Sequence, residues 1–410
     1  MTRLQEVPAA LAARELPGEI LATGLTGRVL ALAPRAAWES AAASGRLKES
    51  DVDALAAETI ESGVLNWRGP ENHVLIVSAN GSVMPLERAR AFVDFIFETP
   101  SPALTLELVD DDGSAWSSAW FVFEYARRRA EWGGRTLTLV YRSGRPPTAQ
   151  RRNYLRERGV PVRAEFRSDA DPRKCGSFGA TRARVIVGSG SRAPELWVDA
   201  LSEAGYVGVE WVSSPNAPNA ISAAGGTFAR FNARAMERLL ELGDKSGLCD
   251  EGALSLLKGR PWSVRGTDLM ETLAYGPDGG VYSSEAGFAL DLDGVGSIFR
   301  LGDVADLRFQ DLPTRPLVQA LIAVAASKDA QPFCAACVYR PFCGVPASVH
   351  FRDQRSLSGR LPDSPGCRSN MGVLDMIFSR LNMENILKKL DNWGVDISKL
   401  RDYNLDSIRR

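Results

Sequence analysis

From residue 73 onward, short apolar runs alternate with amphipathic stretches, and this alternation organises the middle of the chain. The runs are HVLIVSA (73–79), ALTLELV (103–109), TLTLVYR (136–142), PVRAEF (161–166), RARVIVG (182–188) and YVGVEWV (206–212). Continuous apolar and β-branched runs of this length suit strands buried on both faces. Between most of them lie helical patterns. LERARAFVDFIFE (86–98) sets Ala89, Phe92, Val93 and Ile96 on one face, and SSAWFVFEYARRRAEWG, TAQRRNYLRERG and APELWVDALSEAG behave alike. Alternating β and α units imply right-handed crossovers and a parallel sheet. The spacing therefore predicts an α/β fold with a partial (βα)6 barrel over residues 71–262. In such folds chemistry gathers at the C-terminal ends of the strands.

Two regions flank this core. Residues 1–70 read as a small α+β domain, with EILATGLTGRVLALA (19–33) forming two strands around a Thr-Gly turn. Helical stretches follow, one capped by Ser50 or Asp51. Such a unit is either a peptide-binding module or a cover for its neighbour. Beyond helical stretches at 229–260, the chain turns irregular over 263–385, where PDGGVY has the turn chemistry of a hairpin. RSNMGVLDMIFSRLNMENILKKLDNWG reads as one amphipathic helix, and residues 386–410 are assigned to a C-terminal tail.

Composition narrows the partners. Of 410 residues, 45% are hydrophobic and 24% charged, an ordinary globular balance. Lys and Arg number 49 against 50 Asp and Glu, so no general attraction to nucleic acid or an anionic membrane exists. No apolar run approaches the ~20 residues of a membrane span. Glu and Pro interrupt the first apolar stretch, which argues against a secretory signal. A cytoplasmic protein without nucleic-acid or membrane partners is expected. With only His73 and His350, a multi-histidine metal centre is excluded.

The six cysteines are unevenly placed. Cys334, Cys337, Cys343 and Cys367 follow a Cys-x2-Cys-x5-Cys-x23-Cys spacing, while Cys175 and Cys249 stand alone. Four thiolates can close a zinc site or hold an iron–sulfur cluster, and spacing does not separate the two. Disulfides fit poorly with the absent secretion signal. A redox Cys-x2-Cys pair would sit where a strand enters a helix, and this one does not. Cys175 and Cys249 read as ordinary buried or surface thiols.

The barrel pattern, the DGGVY hairpin and the cysteine spacing together resemble radical SAM enzymes with a SPASM-type C-terminal extension. Within that group the likeness is to the peptide maturases of His-Xaa-Ser systems. It rests on SPALTLEL (101–108), PDGGVYSSEAG (277–287), FRLGDV (299–304), FCAACVYRPFCG (333–344) and CRSNM (367–371). The resemblance implies a radical-SAM-like barrel and one auxiliary [4Fe–4S] cluster on Cys334, Cys337, Cys343 and Cys367, with zinc as the alternative metal. It also implies a precursor peptide or an active radical SAM maturase as partner. The position that often carries a further SPASM cysteine falls at Ser283 or Ser284.

Three departures accompany the resemblance. A Cys-x3-Cys-x2-Cys loop is expected after the first barrel strand, yet HVLIVSA runs into NGSVMPLERARAF and no cysteine precedes Cys175. Where the family carries Gly-Gly-Glu-Pro, this chain reads Leu108-Val109-Asp110-Asp111-Asp112-Gly113. Arg142 and Ser143 replace an expected asparagine contact at the third strand end. The resemblance therefore implies a degenerate homologue that does not bind or cleave S-adenosylmethionine (AdoMet) and has no catalytic residues of that kind. An alternative is an enzyme using the vacated pocket, with Asp110 to Asp112, Glu107 or Arg142 as acid–base or binding groups. Against a divalent-metal role, the Asp run reads as a solvated loop in which Asp112 or Ser114 caps the next helix. His73 reads as a rim residue and His350 as a surface histidine. GSGSRAP (188–194) lacks a full phosphate-binding fingerprint.

Overall fold

The computed structural model describes three strands between residues 12 and 34, and residues 70–395 apart from 80, 189, 215–222, 258–271, 328–331, 336, 340–341, 361–363 and 382. The N-terminal strands β1 (Ala12–Leu16), β2 (Glu19–Thr23) and β3 (Val29–Pro34) form an antiparallel meander. The sequence predicts two of them. The added strand β1, from AAREL, has a composition that suits helix as well as strand, so pairing with β2 decides it. The helices predicted over residues 35–70 lie outside the described residues.

All six predicted barrel strands are present: β4 (Asn72–Ala79), β6 (Ala103–Asp110), β7 (Thr136–Ser143), β8 (Val162–Arg167), β9 (Arg182–Val187) and β10 (Gly208–Ser213). They pair in parallel in that order, and a two-residue strand β11 (Cys249–Asp250) extends the edge beside β10. The crossovers use α1 (Leu86–Ile96), α2 (Trp116–Gly133), α3 (Ala149–Glu157) and α4 (Pro194–Glu203). Between β8 and β9 the connection is a short 3-10 turn at Pro172–Phe178. On the helix side, Leu75, Val77, Leu106, Leu108, Val185 and Val209 join Phe92, Phe123 and Trp197 in one buried core. Each such side chain contributes about 1.5–3 kcal/mol through burial.

The C-terminal half continues the same sheet. After α5 (Ala223–Leu242) and α6 (Glu251–Leu257), strand β12 (Thr272–Tyr275) pairs in parallel with the outer edge of β4. Antiparallel β13 (Gly280–Tyr282) and β14 (Arg300–Asp303) follow, and the β12–β13 turn is the hairpin predicted at PDGGVY. The sheet runs β11-β10-β9-β8-β7-β6-β4-β12-β13-β14 and stays open at both ends. It is an open, partial barrel. Helix α7 (Glu285–Leu292) leaves β13, α8 (Pro316–Ser327) and the four-residue α9 (Pro332–Ala335) follow, and α10 (Ala347–Gln354) precedes α11 (Pro365–Phe378).

The long helix predicted near the C-terminus is instead two, α11 and α12 (Glu384–Asn392). The boundary placed at residue 386 falls inside α12, which buries Ile386, Leu387 and Leu390. The buried Lys389 ammonium donates to the carbonyls of Gly243 (2.7 Å) and Ser246 (3.2 Å), so this helix is pinned to the end of α5. Among the described residues no helix is long and apolar enough to cross a membrane.

Candidate functional site

The predicted strands differ from expectation on their inner face, the one turned away from α1–α4. Around β4 that face is apolar: Val74, Ile76, Ala79, Val109 and Ala274 pack with Tyr282 and Phe288. Across β6 to β10 it is charged. Parallel register sets Arg142, Arg163 and Arg182 side by side on β7, β8 and β9, and Glu165, Arg184 and Glu210 one pleat further along β8, β9 and β10. Like charges on neighbouring strands repel. Carboxylates from three strands and two helices offset this. Glu107 lies 3.8 Å from Arg142 and 3.3 Å from Arg163. Glu165 lies 3.5 Å from Arg142 and 3.7 Å from Arg184, and Glu210 contacts Arg163 at 3.6 Å and Arg184 at 3.8 Å. Glu251 of α6 reaches Arg163 at 2.9 Å and Arg182 at 3.3 Å.

Glu285, the first residue of α7, comes from the other side. Its Oε1 accepts from Arg142 at 2.7 Å and from Arg184 at 2.6 Å. Arg142 is only 2% exposed. Burial alone would lower its pKa, yet Glu285, Glu107 and Glu165 hold it well above the usual arginine value. Burial would likewise raise Glu285, and Arg142 and Arg184 overcome it, holding the carboxyl at about 2. Glu107 and Arg142, candidate groups for an altered active site, are thus tied into one ion-pair lattice. Ion pairs this dry are costly to break singly because a lone buried charge remains.

At the strand ends, the Asp run divides into three roles. Asp110 is buried, not solvated. Its Oδ1 accepts from Ser78 Oγ (2.9 Å) and the Ala115 amide (3.1 Å), and its Oδ2 from Tyr141 OH (2.9 Å). It therefore ties β4, β7 and the entrance of α2 together. Asp112 accepts from the Ser114 amide at 2.9 Å within its own turn, so Asp110, and neither Asp112 nor Ser114, supplies the acceptor at the helix entrance. Asp111 lies at the rim of the lattice, where desolvation first and Glu165 next push its pKa to about 6 against the pull of Arg142.

The connection after the first barrel strand is equally short. β4 folds back through Gly81 (φ 80°) into β5 (Ser82–Val83), with Ser78 opposite Val83 and Ala79 opposite Ser82. The Met84 amide then donates to Val77 O at 2.9 Å, and α1 begins two residues later. A two-strand hairpin occupies the place of the expected cysteine loop.

Three of the four C-terminal cysteines share one apolar cluster, while Cys337 packs against the main core. Cys334 and Cys343 pack against Cys367 and Val345, beside Val349 and Met371. Cys367 caps the trend electrostatically: burial, then the charges of Cys343, Cys337 and Cys334, push its thiol up to about 12. Tyr339 and Phe342 stack on Phe378 of α11 at 5.7 and 5.3 Å, which brings the segment of Cys337 and Cys343 to the helix bearing Cys367. Asn370 Nδ2 donates to Cys343 Sγ at 3.4 Å. None of the six cysteines forms a disulfide. Among the described residues no group of three or more His, Cys, Asp or Glu side chains is arranged to hold a metal ion. The fold does place Cys334 and Cys343 beside Cys367 on an apolar wall, with one N–H donor to the Cys343 sulfur. Sulfur donors in such surroundings are the chemistry that a thiolate-bound cluster uses.

Both histidines depart from expectation. His73 is buried at the start of β4, with Nδ1 2.7 Å from Tyr275 OH, and burial lowers its pKa to about 3. His350 is buried in α10 against Gly359. Cys175 is buried, with its thiol pushed up to about 12 by desolvation, as suits an inert side chain. In GSGSRAP, Ser191 Oγ is spent within the turn, donating to Gly188 O and sharing a hydrogen bond with Ser168. Ser284 caps α7 by accepting from the Gly287 amide at 3.1 Å. Sequence reasoning missed Arg163, Arg184, Glu251 and Glu285. The period-two charges in VRAEFR and RARVIV are the signal that points to the first two.

An open parallel (βα) sheet extended by a hairpin and a cysteine-bearing helical segment is the radical SAM-like fold. Solved structures bear this out: native anSMEcpe with bound AdoMet, a radical SAM maturase with a SPASM/twitch domain, superposes with a TM-score of 0.56 at 11% identity, covering 78% of this chain and 100% of that one. Native anSMEcpe with bound AdoMet and Cp18Cys peptide gives 0.59 at 11% identity, covering 79% and 100%. At this identity the likeness is one of fold. No family model and no curated protein matches the chain.

Proposed function

We propose that this chain is a radical SAM-fold protein that does not cleave AdoMet and serves as a peptide-binding or partner subunit in ribosomal-peptide modification. In this reading Cys334, Cys337, Cys343 and Cys367 hold one auxiliary [4Fe–4S] cluster, which supplies a structural anchor or an electron relay. The observation that carries it is the β4–β5 hairpin: with no cysteine before Cys175, the first strand end offers no thiolate to a catalytic cluster. One-electron cleavage of a sulfonium needs that cluster as its electron source. The ion-pair lattice supports the same reading, because the inner face that would surround a cofactor is filled by the chain's own side chains. Resemblance to peptide maturases supports the peptide partner, and the three-stranded N-terminal meander offers sheet edges to which an extended peptide can add.

The test is anaerobic reconstitution with iron and sulfide, followed by AdoMet and a strong reductant. The proposal expects no 5′-deoxyadenosine above the protein-free background, and co-purification with a precursor peptide or a maturase encoded beside it. Formation of 5′-deoxyadenosine at more than about one equivalent per chain, abolished by cysteine substitution, would overturn it.

A further inference from the structure

We propose that Arg142 and Arg184 form a carboxylate-binding fork on the inner face of the barrel, occupied in this structure by the chain's own Glu285 as an internal ligand. A carboxylate-bearing ligand would take the place of Glu285 and lift α7 from the inner face.

The geometry of the fork is that of a binding site. Two guanidiniums from strands β7 and β9, only 2% and 12% exposed, converge on one carboxylate at 2.7 and 2.6 Å. Charge-assisted contacts of this length are among the stronger polar interactions, and paired arginines are suited to planar anions. The occupant arrives from a different part of the chain, 143 residues from Arg142 and 101 from Arg184.

Charge balance makes the occupant separable from the site. Without Glu285 the lattice holds Arg142, Arg163, Arg182 and Arg184 against Glu107, Glu165, Glu210 and Glu251, four of each sign. Glu285 is thus an extra carboxylate, not one the barrel needs for neutrality. Its helix covers the rest of the face as well. Three residues on, Phe288 packs on Val74, Ile76 and Val109, so α7 clamps one half of the inner face and caps the other. Asp291, further along α7, accepts from Tyr282 OH at 2.7 Å, whereas the Glu285 contact is a carboxylate held by two guanidiniums and is replaceable by a diffusible anion.

The test uses the full chain with Glu285→Ala and sodium propionate, which restores the missing carboxylate in trans, against equimolar sodium chloride. Amide exchange in 285–292 should rise by about tenfold in the variant, since the helix loses its clamp. Saturating propionate should raise the variant's Tm by about 2 °C over chloride. The wild-type chain and the double variant Glu285→Ala/Arg184→Met should show no such gain. Glu285→Ser, which also vacates the fork, replaces the alanine variant if that fails to fold. The same propionate response in the double variant, no response in the single variant, or failure of both single variants to fold would each overturn the proposal.

Discussion

Replacing Asp110 with alanine separates a structural Asp run from a functional one. Asp110 accepts hydrogen bonds from Ser78, Tyr141 and the Ala115 amide at 2.9–3.1 Å, all in a buried setting. Hydrogen bonds to a charged group contribute about 1.5–3 kcal/mol each, and a buried donor left alone adds its own penalty. Three such bonds are not additive, and losing a buried charge returns part of the cost. A net loss of about 4–5 kcal/mol is expected for Asp110→Ala, at the upper end of single substitutions. Asp112→Ala removes one turn-capping contact and should cost about 0.5–1 kcal/mol. Urea unfolding followed by tryptophan fluorescence measures both, with Asp110→Asn expected between them. Losses for Asp110→Ala and Asp112→Ala that agree within about 0.5 kcal/mol would refute the bracket. So would a wild-type Tm that rises with Mg2+ when no variant's does, because that is the behaviour of a metal site.

Other consequences follow from buried groups. Asp250 is buried and its carboxyl is raised to about 7, by desolvation first, so the native state holds a proton that the unfolded state has released. Stability should therefore fall as pH rises from about 4 to 7, by an upper limit of about 4 kcal/mol. Asp250→Asn keeps an acceptor for the Ala253 amide and should flatten that slope, as unfolding at pH 5 and pH 8 would show; a slope unchanged in the variant contradicts the assignment. At Gly287, an added Cβ would lie 2.6 Å from Phe299 Cβ. Glycine-to-alanine in a helix normally gains up to about 1 kcal/mol, but overpacking costs about 1–3, so Gly287→Ala should be destabilising and should loosen α7 by hydrogen exchange. A stabilised variant would show that α7 is free to shift.

The barrel was legible because its strands are apolar on the helix side, where Leu75, Leu106, Val185 and Val209 must be buried wherever they pair. Spacing alone groups Cys334, Cys337, Cys343 and Cys367, and the structure packs Cys334 and Cys343 against Cys367. The lattice was not, since its partners lie far apart: Arg163 and Glu251 are 88 residues apart, and local periodicity cannot see such a pair. VRAEFR carries Arg163 and Glu165 on one face, and reading it as a strand buried on both faces does not say which distant charges neutralise the arginine. Glu107, Glu210 and Glu251 do so here. His73 and His350 were misplaced for a related reason, because a residue at a strand start or on a polar helix is buried only by what folds over it. Here those covers are the loop at Pro70 and the turn at Gly359. The helix predicted over 368–394 ends at Phe378 with Ser379 as its C-cap and resumes at Glu384 with Met383 as N-cap, a break that its continuous apolar pattern hides.

The central claim is that the chain's cluster chemistry resides at the C-terminal cysteines and not at the barrel. Iron, zinc and acid-labile sulfide content with the absorption spectrum, measured on anaerobically prepared wild type and Cys367→Ala, tests it most directly. The account predicts about four iron and four sulfide per wild-type chain with a broad visible absorption band, all lost in Cys367→Ala, and retained in Cys175→Ala. A colourless wild-type protein with about one zinc per chain, or iron that survives Cys367→Ala, would contradict it.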